Sequence, residues 1–244
     1  MKRGRVKPLK IKMKTLYILI CAVLLCGFVL ILLSSFKDVK VSSDSVITKP
    51  HIIIDAGHGG EDGGAEVDGI LEKDLNLSIA MILSDMLRAN GFDVTDVRED
   101  DISVYSGDAE TLSEKKTSDL NNRLKLFESD ENNVVISIHQ NKFTDPKYSG
   151  TQVFYSENHQ DSIKLAESIR TAVTMLLQHD NTRELKKADE NIFILDKTTV
   201  PAVIVECGFL SNPDERQKLC DEAYQKQMAF SIMLGFLEYY HMNY

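Results

Sequence analysis

The sequence predicts an α/β domain built on a mostly parallel, twisted sheet that is covered by helices. Short apolar runs alternate with longer periodic stretches along residues 48–244, and their lengths suit crossover units in which a helix joins two parallel strands. The chain has 244 residues, of which 43% are hydrophobic, so it can bury one sizeable core and still carry an appendage. No internal repeat or low-complexity tract interrupts this pattern.

The predicted elements follow one another in regular order. The first half should contain a strand at 51–55, a helix over about 72–90 that ends at Asn90-Gly91, a strand at 92–98, a helix over about 118–128 and a strand at 133–138. The second half should contain a strand at 151–155, a helix at about 159–178, strands at 192–196 and 201–206, and a closing helix from about 221 to 240. Polar, acidic residues 99–117 are the one long loop in this prediction.

An apolar run at residues 16–33 precedes the domain and is long enough to cross a bilayer as a helix. Residues 1–15 are basic and hold no acid, which favours a cytoplasmic N-terminus and an extracytoplasmic domain. We therefore predict a basic segment at 1–15, a transmembrane anchor or signal at 16–36, a linker at 37–47 and the domain at 48–244. A cleaved signal peptide shares the basic start and apolar centre and remains the alternative.

The charge of the chain is unevenly distributed. Residues 1–47 contribute +7 to a formal total of −9, so residues 48–244 carry −16. This acidity argues against a nucleic-acid partner. Of the four cysteines only Cys207 and Cys220 lie in the domain, and a disulfide between them is neither required nor excluded by their spacing.

Four titratable side chains are predicted to meet at one edge of the sheet. His58 follows the first strand, His139 follows the strand at 133–138, and Glu206 ends the strand at 201–206. Glu72 begins the helix after the glycine-rich loop. Because ligands of open parallel sheets bind beyond the carboxyl ends of the strands, this edge is the candidate site.

His58, Glu72 and His139 together offer two imidazoles and a carboxylate, which is the ligand set of a catalytic zinc site with a fourth position for water. The glycines around His58 would let the backbone pass close to a metal and substrate. A phosphate-binding loop is the rival interpretation, but Asp62 stands where that motif needs its third glycine.

Other candidate residues have simpler explanations. Glu206 lies within an apolar strand, where an unpartnered carboxylate is costly to bury, so a functional role is favoured. Cys207 has no histidine placed to activate it and is interpreted as small packing. The remaining histidines are interpreted as solvated; they are His51, His159, His179 and His241.

Four motifs resemble those of a known enzyme family, in order, over about residues 51–240. The segments "IDAGHGG", "LEKDLNL", "SIHQN" and "PAVIVECGFLSN" are similar to the motifs of the zinc-dependent N-acetylmuramoyl-L-alanine amidases of the amidase-3 type. The resemblance implies a phosphorylase/hydrolase-like fold, a zinc ion held by His58, Glu72 and His139, and Glu206 as catalytic acid/base. Asn141, two residues past His139, is expected either to bind substrate or to cap a turn.

Within that family, "SEKKTSDLNNRLKL" and "NTRELKK" resemble the members that act in sporulation and germination. This implies cleavage of the amide between N-acetylmuramic acid and L-alanine in peptidoglycan of the spore cortex, contributing to muramic-δ-lactam formation, by an extracytoplasmic enzyme in the forespore envelope. An accessory protein is an open question. Two alternatives remain: a catalytically silent peptidoglycan-binding scaffold, and a zinc peptidase that cuts within the stem peptide.

Overall fold

The computed structural model describes residues 49–244. The basic segment, the anchor or signal and the linker predicted above lie outside the described residues. Residues 49–244 contain eight strands: β1 (His51–Ala56), β2 (Glu66–Val67), β3 (Ile70–Leu71), β4 (Val94–Asp96), β5 (Asn133–Asn141), β6 (Gln152–Tyr155), β7 (Lys186–Lys187) and β8 (Ala202–Phe209). The same residues contain six helices: α1 (Glu72–Ala89), α2 (Leu112–Phe127), α3 (Gln160–Leu176), α4 (Phe193–Lys197), α5 (Pro213–Leu219) and α6 (Glu222–Asn243).

Six of the strands form one sheet in the order β4-β1-β5-β8-β6-β7. All of its pairs are parallel except β6 with β8, so the predicted mostly parallel sheet is confirmed. The central strands β1, β5 and β8 are buried almost throughout, as expected for strands with helices on both faces.

Two apolar clusters fill the space on the two faces of the sheet. Along β1, Ile52 and Ile54 belong to the larger cluster, which includes residues of α1, α3 and α6, whereas Ile53 belongs to the smaller cluster with residues of α2 and α4. All three isoleucines are at most 1% exposed. Alternate side chains of one strand therefore anchor helices on opposite faces.

One predicted element was wrong. Residues 192–196 were predicted as a strand, but Phe193–Lys197 is the short helix α4. A run of four apolar residues cannot by itself distinguish a strand from a buried turn of helix. The outer position beside β6 is taken instead by the two-residue strand β7, which is too short and too polar to give a strand pattern.

Helix α2 begins six residues earlier than predicted and shortens the long loop to residues 97–111. Thr111 caps it: the Thr111 hydroxyl accepts from the backbone N–H of Glu114 at 3.2 Å, and the Glu114 carboxylate accepts from the N–H of Thr111 at 2.9 Å. This reciprocal pair is a capping box. The first turns of α2 consequently lie beside the loop that carries His58.

A small hairpin, β2 and β3, connects the glycine loop to α1. Asp68 and Gly69 form its turn with φ angles of 52° and 78°. Two successive positive φ values are the signature of the tight turn that suits the twist of a hairpin, and Asp-Gly is a favoured sequence for it. The hairpin returns the chain so that α1 starts at the edge of the sheet.

Among residues 49–244, none of the helices has the length and apolar character needed to span a bilayer. Cys207 is buried and Cys220 is exposed, and neither forms a disulfide in the described part of the chain.

Candidate metal centre at the carboxyl edge of the sheet

The fold brings the four predicted site residues to one place. His139 and Glu206 are direct register partners on the neighbouring strands β5 and β8. His58 lies two residues beyond the end of β1, and Glu72 is the first residue of α1. All four therefore lie at the carboxyl edge of the central strands, where the sequence predicted them.

His58, Glu72 and His139 form a compact cluster of potential metal ligands. One ligand atom from each lies within 4.8 Å of the others. The Glu72 carboxylate bridges the two rings, with Oε2 3.3 Å from His58 Nε2 and Oε1 3.0 Å from His139 Nδ1. The two imidazole rings have centroids 5.0 Å apart.

The carboxylate of Glu72 is fixed by hydrogen bonds from three directions. Its Oε2 accepts from the backbone N–H of Ala65 at 2.8 Å, and its Oε1 accepts from the N–H of Gln140 at 3.0 Å and from Asn76 Nδ2 at 3.3 Å. Asn76 is fully buried and also donates to the carbonyl of Gly57 at 3.1 Å. The orientation of this carboxylate is therefore set before any ligand arrives.

The cluster is electrostatically prepared to hold a cation. Burial disfavours the Glu72 carboxylate, but the hydrogen bonds from His139 and His58 overcome it and hold the pKa of Glu72 well below its usual range. Burial likewise opposes the imidazolium of His58, yet hydrogen bonds to Asp62 and Glu72 raise the pKa of His58 to about 9.

The backbone of His58 has a φ angle of 62°, which residues other than glycine rarely adopt. Its Nδ1 lies 2.9 Å from Asp62 Oδ2, which leaves Nε2 directed toward Glu72. Its carbonyl accepts a hydrogen bond from Arg123 Nη2 at 2.8 Å. Strain of this kind persists only where the surroundings over-determine it, and here both ends of the residue are fixed.

Gly57 explains why glycine flanks this histidine. A Cβ atom at Gly57 would lie 2.2 Å from Cε1 and Nε2 of His139. The imidazole of His139 therefore occupies the space that any other side chain at position 57 would need. The β1 loop can approach His139 this closely only because residue 57 has no side chain.

A buried ion pair behind the loop was not predicted from the sequence. Arg123 of α2 pairs with Asp55 of β1, and both are nearly inaccessible. Asp55 also accepts a hydrogen bond from the hydroxyl of Ser137 at 2.6 Å, and Arg123 donates to the carbonyl of Ala56 at 3.0 Å. The available signal was an aspartate at the end of a fully apolar strand, which requires a buried partner.

Glu206 stands beside the cluster with a free oxygen. Its Oε2 is shielded from solvent and has no hydrogen-bond partner within the described residues. Burial raises the pKa of Glu206 to about 7, while the positive charges of His139 and His58 oppose the rise and Glu72 adds to it. The carboxyl group can therefore exist in both protonation states near neutral pH.

These residues line a cavity of about 270 Å³ that opens over the cluster. Its walls include the polar side chains of His58, His139 and Glu206 and the apolar side chains of Ile192 and Phe193 at the start of α4. The residues wrongly predicted as a strand thus form a wall of the site.

Asn141 and Cys207, the two other residues considered as candidates from the sequence, lie close to these site residues in β5 and β8. Asn141 is the last residue of β5, and its carbonyl accepts from the N–H of Leu210 at 2.8 Å. Its role in binding substrate stays a prediction. Burial and the neighbouring charge of Glu206 raise the pKa of the Cys207 thiol far above its usual range, which fits the interpretation of Cys207 as a packing residue.

The donor set fits zinc. Two imidazoles and one carboxylate suit this ion, and such three-residue sets are typical of catalytic rather than structural sites. Glu206 lines the same cavity as the two imidazoles. A mostly parallel sheet with this set at its carboxyl edge, beside a buried carboxyl group, is typical of one class of protein: a hydrolase with a site suited to a single metal ion.

Comparison with known proteins specifies that class. Residues 52–238 match the family Amidase_3, described as N-acetylmuramoyl-L-alanine amidase. The chain belongs to this family, and its activity is that of an N-acetylmuramoyl-L-alanine amidase acting on peptidoglycan.

Individual relatives agree with this assignment. The germination-specific N-acetylmuramoyl-L-alanine amidase of Bacillus subtilis is 36% identical over 222 residues, which cover 88% of this chain and 92% of that protein. The CwlD amidase of Clostridioides difficile, solved in complex with the GerS lipoprotein, is 38% identical with a TM-score of 0.76, covering 80% of this chain and 100% of that one. The AmiC2 amidase of Nostoc punctiforme has a TM-score of 0.67 at 28% identity, covering 78% and 97%.

Proposed function

We propose that this protein is a zinc-dependent amidase in which His58, Glu72 and His139 hold the ion and Glu206 is the catalytic acid/base. The observation that carries the proposal is the cluster of three ligand atoms within 4.8 Å, next to a carboxyl oxygen with no partner among the described residues. Zinc bound in such a set supplies a Lewis acid that polarises an amide carbonyl and makes a coordinated water acidic.

The side chains divide the remaining work. Glu206 takes a proton from the attacking water and delivers it to the nitrogen of L-alanine as the amide breaks. Its pKa near 7 suits both steps, because a group that must accept and then donate a proton works best near the ambient pH. Asp62 and Arg123 hold His58 in place, and the three donors to Glu72 hold the carboxylate.

The cavity supplies the position of the scissile amide. We propose that the muramoyl-alanine bond enters this cavity, whose walls include His139, Glu206 and Phe193. Asn141, at the end of β5, is proposed to contact substrate near this point. Burial of the amide between these walls excludes water that would otherwise weaken the electrostatic contacts of the site.

We further propose spore cortex as the substrate and the forespore envelope as the location, with an N-terminal membrane anchor or signal at 16–36. The similarity to a germination-specific amidase supports the cortex substrate and the forespore location, and the apolar run at 16–33 supports the anchor or signal. Removal of stem peptides would leave muramic acid for conversion to muramic-δ-lactam by another enzyme. Because the similar CwlD amidase was solved with a lipoprotein, an accessory protein of that kind is a candidate partner.

Metal analysis combined with product mass spectrometry tests this function. The purified full chain should contain about one zinc per chain and should release peptides whose new N-terminus is L-alanine from muramyl peptides. A cut within the stem peptide would support the zinc peptidase instead. Binding of peptidoglycan without any cleavage by the zinc-loaded chain would support the silent scaffold.

A further inference from the structure

A second cavity adjoins the metal centre on the side of α2. It has a volume of about 200 Å³ and is bounded by the loop after His58, by Tyr105 and by the first turns of α2. Four residues line both this cavity and the one over the potential metal ligands: His58, Asp62, Lys116 and Asp119. A substrate held over His58 can therefore extend directly into the second cavity.

The other charged groups of this cavity are already engaged. Lys115 Nζ lies 2.8 Å from Glu61 Oε2 and 5.1 Å from the centre of the Tyr105 ring. Asp119 accepts hydrogen bonds from Arg123 Nε at 2.5 Å and from the N–H of Val104 at 2.8 Å.

Asp62 is engaged in the same way. Its Oδ2 lies 2.9 Å from His58 Nδ1, and its Oδ1 accepts a hydrogen bond from the N–H of Gly64 at 3.1 Å. None of the acids that line the second cavity therefore needs a further cation.

Lys116 differs from its neighbour Lys115. It is exposed, and within residues 49–244 its ammonium makes no hydrogen bond and no ion pair within 4 Å, although its charge contributes to lowering the pKa of nearby Asp62. It stands on the shared border of the two cavities, in a domain that carries −16 overall. A cation kept without a partner at this border can attract an anionic part of the substrate that the rest of the acidic surface would repel.

The chemistry of the substrate indicates which part that is. The glycan side of the scissile bond is uncharged, because the lactyl carboxyl of muramic acid is consumed in the amide. The leaving side is a peptide, and the residues that follow L-alanine in it, such as D-glutamate, carry free carboxylates. We propose that Lys116 binds a carboxylate of the stem peptide and so sets the leaving-group side of the substrate in the second cavity; this rests on the proposed amidase function.

The proposal is tested by kinetics with two muramyl dipeptides that differ only in charge. The zinc-loaded full chain is given N-acetylmuramoyl-L-alanyl-D-glutamate and the same compound with both glutamyl carboxyls amidated. Wild type should favour the first. Lys116→Met should raise KM for the charged compound and lower its kcat/KM about fivefold, with kcat and the amidated compound little changed.

Two variants serve as controls. Lys116→Arg keeps the positive charge and should restore most of the preference for the charged compound. Lys125→Met removes an ammonium from the same helix but outside both cavities, and should leave the ratio of the two kcat/KM values as in wild type. Equal losses on both compounds in Lys116→Met, or an unchanged ratio, would overturn the proposal while leaving the amidase function intact.

A binding measurement needs no turnover and separates this proposal from the proposed function. Titration calorimetry with the product L-alanyl-D-glutamate should show weaker binding to Lys116→Met than to wild type, whereas binding of N-acetylmuramic acid should be the same for both. The reverse pattern would place Lys116 on the glycan side and contradict the proposal. Failure of wild type to cleave either dipeptide would count against the amidase function itself.

Discussion

At the scale of single residues, the site depends on a close approach between Gly57 and His139. Gly57→Ala would place a methyl group 2.2 Å from the imidazole, so the ring or the β1 loop must move. We predict that this variant folds but binds zinc about 100-fold more weakly, because the ligand set loses its geometry. Competition with a zinc-chelating dye measures the affinity.

Gly107→Ala is the matched control for this variant, since a Cβ at Gly107 meets nothing within 4 Å. Its zinc affinity should equal that of wild type. An unchanged affinity in Gly57→Ala would show that His139 is not needed where the structure places it.

The buried pair of Asp55 and Arg123 gives a prediction about stability. Burial alone would raise the pKa of Asp55, but the charge of Arg123 and the hydrogen bond from Ser137 hold it below its usual value. Asp55→Asn should lower the free energy of unfolding at pH 7 by about 3 kcal/mol, because it removes the buried carboxylate partner of the Arg123 guanidinium and leaves only the more exposed Asp119. Denaturant unfolding of the zinc-loaded full chain measures the change.

The same pair fixes the sign of the pH dependence. A carboxyl group with a lowered pKa in the folded state stabilises the fold above its unfolded value, about 3.9 for aspartate, and this stabilisation is lost as the pH falls. The difference between wild type and Asp55→Asn should therefore shrink below about pH 4. Asp108→Asn, at an exposed position, should differ from wild type at neither pH. A difference that grew toward acid pH would contradict the account.

At the scale of elements, the connection between β5 and β6 leaves the site uncovered. Residues 142–151 contain turns and bends but no helix. Lys142 Nζ donates to the carbonyl of Glu66 at 2.9 Å, and the N–H of Phe143 donates to the hydroxyl of Ser211 at 3.1 Å. None of residues 142–151 lines the cavity over His58 and His139.

Shortening this connection should therefore not activate the enzyme. A deletion within 143–149 is predicted to change the rate of peptide release by no more than about twofold, since no lid must open before substrate enters. The rate is measured on soluble muramyl peptides, beside a deletion in the exposed loop around Gly107. A strong rise in activity for the first deletion alone would mean that this segment blocks the site.

The elements also show what the sequence could and could not predict. Short β-branched apolar runs located β1, β5 and β8, and helical periodicity located the long helices, because each buries a continuous face. The start of α2 was readable from the capping box at Thr111, which the prediction overlooked. Helix α4 could not be predicted, because the apolar run at 192–195 suits a strand equally well. Only the strand order of the folded sheet shows that this run is not a strand.

The positions of the candidate site residues could be predicted more completely than the helices and strands around them. His58, Glu72, His139 and Glu206 stand at element ends, and a parallel sheet gathers such ends at one edge whatever the details of the loops. The ion pair that supports His58 was not predictable, because Asp55 and Arg123 are 68 residues apart and meet only after α2 packs on the sheet.

At the scale of the whole molecule, we expect the N-terminal segment to confine the enzyme to the membrane where cortex is made. Confinement raises the effective concentration without new contacts. Replacing residues 1–47 by a cleaved secretion signal, at matched protein levels in forming spores, should lower muramic-δ-lactam by at least about tenfold. Equal muramic-δ-lactam in both strains would mean that the anchor contributes nothing.

The central claim is that three side chains hold a metal while a fourth moves the proton, and paired measurements on Glu206→Gln and His139→Ala test it most directly. Glu206→Gln should keep about one zinc per chain yet lose peptide release by at least about 100-fold, because an amide cannot accept the proton. His139→Ala should lose both the zinc and the activity. Loss of zinc from the Gln variant as complete as from the Ala variant would make Glu206 a ligand and contradict the account.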